Sequence, residues 1–139
     1  MSEVQEKVEN IKKMQRTVDD LLKAGELHLC NGCLKIGEGA GVVKSIYSNG
    51  ITVNITNFKV KGAVYPAHCH PDSQQILICT RGAFVITFEN MQARSVHPGE
   101  VCVLKPKEMH TLQTIEDDTE TVDVCVPREK AYQLGVTAK

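Results

Sequence analysis

Tryptophan is absent from this 139-residue chain, and three tyrosines and three phenylalanines are its only other large aromatics. Proteins that hold single-stranded nucleic acid rely on stacking platforms that this composition cannot supply. An excess of one charge is missing too. Sixteen Lys and Arg stand against seventeen Asp and Glu, the net charge is -1, and no long basic run occurs. The electrostatic footprint of a nucleic-acid binder is therefore lacking, and no nucleic-acid partner is expected. No stretch of 18 apolar residues exists, and the N-terminal "MSEVQEKVENIKKMQ" is charged throughout. Neither a membrane span nor a secretory signal is expected, and the default location is the cytoplasm. There the six cysteines, at 30, 33, 69, 79, 102 and 125, are expected to be mainly thiols. Cys69, Cys79, Cys102 and Cys125 lie in apolar or alternating segments and are expected to pack as small hydrophobes.

What is present is ordinary globular material: 42% apolar and 24% charged residues, enough chain for one domain with a core. Four segments are expected. Residues 1–25 read as an N-terminal helix, with Val4, Val8, Ile11, Met14, Val18, Leu21 and Leu22 recurring at three- and four-residue steps over 3–24 and Gly25 as its stop. That helix either lies on the domain's own core or contacts a second chain. Residues 26–41 hold a hairpin whose turn is Cys30-Asn31-Gly32-Cys33. Residues 42–127 read as many short strands between turn signals, such as "GITVNITNFKV", "QQILICTR", "EVCVLKP" and "TETVDVCVP". That pattern predicts an all-β sandwich or barrel. Residues 128–139 form a polar tail.

The stretch "PAHCHPDSQQ" carries the chemistry. Side chains alternate along a strand, so His68 and His70 point one way and Cys69 the other. Gln75 opens the next strand beyond a turn and can reach the same face, as can His110 from a later strand. Three imidazoles and one amide oxygen could then meet inside the barrel. Asp72 has the right parity to supply a carboxylate, but Pro71 and Ser73 place it in a turn aimed outward. Leu77 and Cys79 should face inward beside Gln75. Glu108 and Met109 lie near the His110 end, and Tyr65, close to His68, is a weak catalytic candidate.

These residues resemble a cupin. Gly62, "AVYPA", His68-Cys69-His70, "PDSQ", Gln75, "ILICTR", Gly82 follows the spacing of the first cupin motif throughout. Gly99, "EVCVL", Lys105-Pro106-Lys107, "EM", His110, "TLQ", Thr114 keeps the spacing of the second, with Lys105, Lys107 and Thr114 in place of its Pro, Gly and Asn. The resemblance implies a double-stranded β-helix, or jelly-roll barrel. It also implies a divalent transition metal (Fe, Zn, Ni, Mn or Cu) on His68, His70 and His110. Gln75 stands where the family has a glutamate. A neutral amide can coordinate weakly through oxygen or donate through nitrogen, but it cannot act as a general base. Three neutral imidazoles leave a metal with its full charge, which favours an anionic ligand.

Two functions follow from the resemblance. One is a metal-dependent enzyme acting on a small anionic metabolite, dioxygenase-like or an isomerase or lyase. The other is a non-catalytic cupin that binds a small ligand or metal as a sensor or storage module. Cys30 and Cys33 should face each other across the hairpin, as packing thiols, a redox-sensitive pair, or half of a metal site that would need His28, another loop or a second subunit. Apolar residues on both faces of "ICTRGAFVITF" point to a homodimer.

Overall fold

The computed structural model describes residues 16–30, 33–36, 41–48, 50–127 and 136–138, without the side chains at 29, 30, 33, 34, 47, 48 and 136–138. Among the described residues the first element is a short helix, α1 (Val18–Lys23). Twelve strands follow: β1 (Leu27–Cys30), β2 (Cys33–Ile36), β3 (Gly41–Ser48), β4 (Ile51–Phe58), β5 (Val64–His68), β6 (Gln74–Arg81), β7 (Phe84–Phe88), β8 (Ala93–Val96), β9 (Val101–Leu104), β10 (His110–Thr114), β11 (Thr119–Val126) and β12 (Val136–Ala138).

The expected single helix over 3–24 is interrupted. Thr17 is extended, with φ -95° and ψ 171°, and caps α1 in a reciprocal box with Asp20. Thr17 and Asp20 satisfy each other's backbone N–H, which starts a helix rather than continuing one. The preceding residue is tied to the barrel backbone: the Arg16 carbonyl accepts from the Cys69 N–H. Positions 3–15 of the expected helix lie outside the described residues. The stop is where the sequence puts it, because Gly25 has φ +76° just past the Ala24 cap. Val18 and Leu21 are fully buried in the domain's own core.

The strands form two antiparallel sheets facing each other. The larger runs β1-β2-β3-β4-β11-β6-β9, and β12 lies parallel beside the second half of β3; the smaller runs β5-β10-β7-β8. This is the expected double-stranded β-helix. The Cys30–Cys33 hairpin extends the large sheet through β2, and its register pairs Cys30 with Cys33. The side chains of those two cysteines lie outside the described residues.

Register sets up the interior row by row. At one end of the large sheet Phe58 lies opposite Thr119, and the next row holds Val43, Thr56, Thr121 and Cys79. Then come Ser45, Asn54, Asp123, Leu77 and Cys102, and finally Thr52, Cys125, Gln75 and Leu104. All of these are buried. Opposite them the small sheet contributes Tyr65, Phe84, Ile86, Val96 and Leu112. The apolar part of this interior, including Phe58, Phe84, Leu77 and Leu104, is one continuous core; each such side chain contributes about 1.5–3 kcal/mol on burial.

Two strands run against the simple expectation that their apolar face turns inward. β4 buries Thr52, Asn54, Thr56 and Phe58, and β11 buries Thr119, Thr121, Asp123 and Cys125. Their valines and isoleucines face out. The barrel therefore has a polar wall, and it leads to the histidines.

Candidate metal centre

β5 ends at His68, and the chain carries on through Cys69 and His70 into the turn before β6. His68 and His70 are 3% and 2% exposed, and His110, the first residue of β10, is 5% exposed. The register places His110 directly opposite His68. One ring nitrogen from each of the three residues lies within 4.8 Å of the others. The rings of His68 and His110 meet at 4.4 Å, those of His68 and His70 at 5.0 Å, and those of His70 and His110 at 5.3 Å.

Two of the rings are fixed by the backbone beside them. His68 Nδ1 lies 2.7 Å from the Pro66 carbonyl oxygen and His110 Nδ1 lies 3.0 Å from that of Glu108. A carbonyl oxygen only accepts, so both Nδ1 atoms carry the proton and both Nε2 atoms keep their lone pair. This is the tautomer a metal ligand needs, held as outer-shell partners hold it. Burial, followed by the neighbouring imidazoles, pushes the His68 pKa well below its usual value. The same causes bring His110 down to about 3. Both rings are neutral at pH 7 and ready to donate electron pairs.

Cys69 is buried, and its backbone pairs with the Arg16–Thr17 segment. The turn of the second motif abuts the site: the Lys107 N–H donates to the His70 carbonyl at 2.9 Å. Lys107 has φ +67° where the family pattern has glycine, so the turn keeps the left-handed conformation without the usual residue. Thr114, in place of the motif's Asn, is buried; its hydroxyl donates to the Val60 carbonyl and accepts from the Ala63 N–H. The substituted residue stitches the β4–β5 loop to β10.

The other sequence candidates fall as follows. Asp72 is exposed, in its turn. Leu77 and Cys79 face inward, 5% and 0% exposed. Met109 is buried, while the Glu108 carboxylate accepts from the Lys105 N–H within its own turn. Tyr65 is buried, its ring 4.3 Å from that of His68 and tilted by 30°. His28 is exposed on β1, paired in register with Lys35. Burial raises the thiol pKa values of Cys79 and Cys102, which suits packing rather than reactivity.

Gln75 is 5% exposed. Its Nε2 donates to Asp123 Oδ2 at 2.7 Å, and its Oε1 is buried with no hydrogen-bond partner. Asp123 was not singled out by the sequence. It is 5% exposed on β11 and accepts on the same oxygen from Asn54 Nδ2 at 2.8 Å, while the Cys125 thiol lies at 3.6 Å. Asn54 Oδ1 in turn accepts from the Ser45 hydroxyl. Burial holds the Asp123 carboxyl above its ordinary pKa, against the opposing pull of the Asn54 and Gln75 amides. The signal was parity along "TETVDVCV", where a charged residue shares a face with Thr119, Thr121 and Cys125.

The donor set fits a transition metal. Imidazole nitrogens suit Fe, Zn, Ni and Cu, and the buried, unpartnered Gln75 Oε1 is the kind of atom whose desolvation a metal or ligand would offset.

Comparison with known proteins agrees with this architecture. The AraC-like ligand binding domain family matches residues 59–123, which spans both the histidines and Asp123. No curated protein matches the chain. Among solved structures, KdgF from Halomonas sp. is 26% identical, with a TM-score of 0.61 over 68% of this chain and 86% of that one. A Klebsiella pneumoniae protein with a double-stranded β-helix domain is 18% identical, with a TM-score of 0.60 over 70% and 84%. An RmlC-like cupin from Shewanella frigidimarina is 16% identical, with a TM-score of 0.60 over 68% and 83%. The fold is thus a double-stranded β-helix. Residues 59–123 are similar to the AraC-like ligand binding domain family, and the fold is the one seen in RmlC-like cupins.

Proposed function

We propose that His68, His70 and His110 bind one divalent transition metal, with Gln75 as a weak fourth ligand, and that the protein is a metal-dependent enzyme acting on a small anionic metabolite. The observation that carries this reading is the convergence of three buried imidazoles, two of them locked in the tautomer a metal requires. When bound, the metal would supply Lewis acidity on a site with no ligating carboxylate, and so a preference for anionic ligands. The chain's own residues orient and enclose. The carbonyls of Pro66 and Glu108 set the rings, Tyr65 flanks His68, and the Leu77, Cys79 and Leu104 wall excludes water.

A second reading is favoured by the match to a ligand-binding domain family and by the neutral Gln75. In it the same site holds a ligand or metal as a sensor or storage module without turnover. Metal-loaded protein, prepared without oxygen and screened against small carboxylates and enolisable acids, separates the two. Consumption of a ligand supports the enzyme; saturable binding with no product supports the sensor.

We further propose a homodimer formed through the outer face of the large sheet. There Ile46, Val53, Val124, Ile76 and Val103 form one cross-strand row, and Ile55, Val122, Ile78 and Val101 another. Ile46, Ile76, Val101 and Val103 are between 37% and 51% exposed. Five strands at about 4.8 Å make this stripe roughly 20 Å wide, and a second copy of the same flat face is its natural complement. A cytoplasmic location remains the proposed one. No helix among the described residues is long and apolar enough to cross a membrane.

A further inference from the structure

We propose that Asp123 is a positioning residue for the metal centre, fixing which end of the Gln75 amide is offered to the site; this rests on the metal reading above. A glutamine amide has two chemically opposite ends of nearly the same shape, and only its partners decide which points where. Here the partner is unambiguous. Asp123 Oδ2 accepts from Gln75 Nε2 at 2.7 Å and from Asn54 Nδ2 at 2.8 Å. Both amides address the same oxygen, which accepts whether the carboxyl is ionised or carries a proton on its other oxygen. With Nε2 committed to Asp123, Oε1 is the end left over, buried and without a partner.

The arrangement is itself held in place. Asp123 lies on β11 directly opposite Asn54 on β4, and Asn54 lies directly opposite Ser45 on β3. The Ser45 hydroxyl donates to Asn54 Oδ1, which turns Asn54 Nδ2 toward Asp123. Three strands thus converge through a run of hydrogen bonds on one amide of a fourth. All four side chains are 5% exposed or less, so each unmade bond would leave a buried polar atom unsatisfied. The run gives a reason for Asn54 and Asp123 on the inward faces of β4 and β11: they connect the sheet to the fourth position of the metal site. A carboxylate is present in this barrel one layer behind the position where the cupin pattern has it, and it acts through the glutamine.

The test is a double-mutant cycle on Co(II) affinity, followed by the visible absorption of bound Co(II), which reports ligand number and type. Asp123→Ala removes the acceptor and frees the amide to turn. Its loss of affinity should match that of Gln75→Ala within about twofold, with the same spectral change. Adding Asp123→Ala to Gln75→Ala should cost nothing more. Asp123→Asn keeps an accepting oxygen, so it should restore both affinity and spectrum to near wild type. Asp123 acting merely as a distant negative charge predicts the reverse: a loss in Asp123→Asn that persists in the Gln75→Ala background. That result, or an additive cycle, overturns the proposal. If Asp123→Ala fails to fold, Asp123→Asn in the two backgrounds still decides. His110→Ala separates the two levels. Unchanged Co(II) binding there removes the metal reading itself, whereas loss there with an additive Asp123 cycle removes only the positioning role.

Discussion

Glutamine at position 75 makes sense beside its neighbour. With Asp123 Oδ2 2.7 Å from the side chain, a glutamate there would bring two buried carboxylates into contact, and like charges at that distance cannot both ionise. A neutral amide can satisfy Asp123 and still present an oxygen. The histidines make an equally local prediction. The His68 and His110 pKa values are depressed by burial, the latter to about 3, so below the ordinary value near 6.5 the unfolded chain binds more protons than the folded one. The stability of the metal-free protein is therefore complete above pH 6.5 and falls as pH drops toward 3, with a limiting slope of about 1.4 kcal/mol per pH unit for each histidine. Asp123, raised by burial, works in the opposite direction and gains stability as it protonates. Urea unfolding of Asp123→Asn between pH 7.5 and 5 isolates the histidines and should show the decline; a flat profile would mean that these rings are not held neutral.

At the scale of elements, the turn between β6 and β7 depends on Gly82. It has φ +76°, and a Cβ there would lie 2.7 Å from the Thr119 Cα on β11. Gly50 has φ +74° but nothing within 4 Å. Gly50→Ala should cost only the conformational penalty, on the order of 1 kcal/mol, whereas Gly82→Ala must also push β11 aside and should cost about 3 kcal/mol or more. Equal losses in denaturant unfolding would show that the close approach carries no weight. Motif spacing made Gly82 and the three histidines legible, because glycines and a His-X-His pair at fixed separations constrain turn and face together. The polar wall was not legible in the same way. In β11 the valines alternate with Thr119, Thr121, Asp123 and Cys125, and hydropathy alone assigns the valines to the interior. The barrel inverts this because its inner space on that side belongs to the site. The start of α1 was hidden for a related reason: the three- and four-residue repeat runs through Thr17, but the capping box with Asp20 and the bond from Cys69 to Arg16 break it.

For the whole molecule, the inverted strands have a second consequence. Turning the polar faces of β4 and β11 inward leaves Val53, Ile55, Val122 and Val124 on the outside, next to the exposed Ile76, Val101 and Val103. Sedimentation should show a dimer at micromolar concentration, and two charges at the β6–β9 end of the stripe, where it is most exposed, Ile76→Asp with Val103→Asp, should make it a monomer; a monomeric wild type would remove the dimer. The account as a whole rests on the three histidines acting as one metal site, and a metal titration under a single buffer tests it most directly. His110→Ala should lose more affinity than the roughly 10–100-fold typical of outer-shell partners, because it removes one of only three strong ligands, and Gln75→Ala should lose distinctly less, because an amide oxygen is a poor ligand beside imidazole. If His110→Ala binds metal as tightly as the wild type, the triad is not the site.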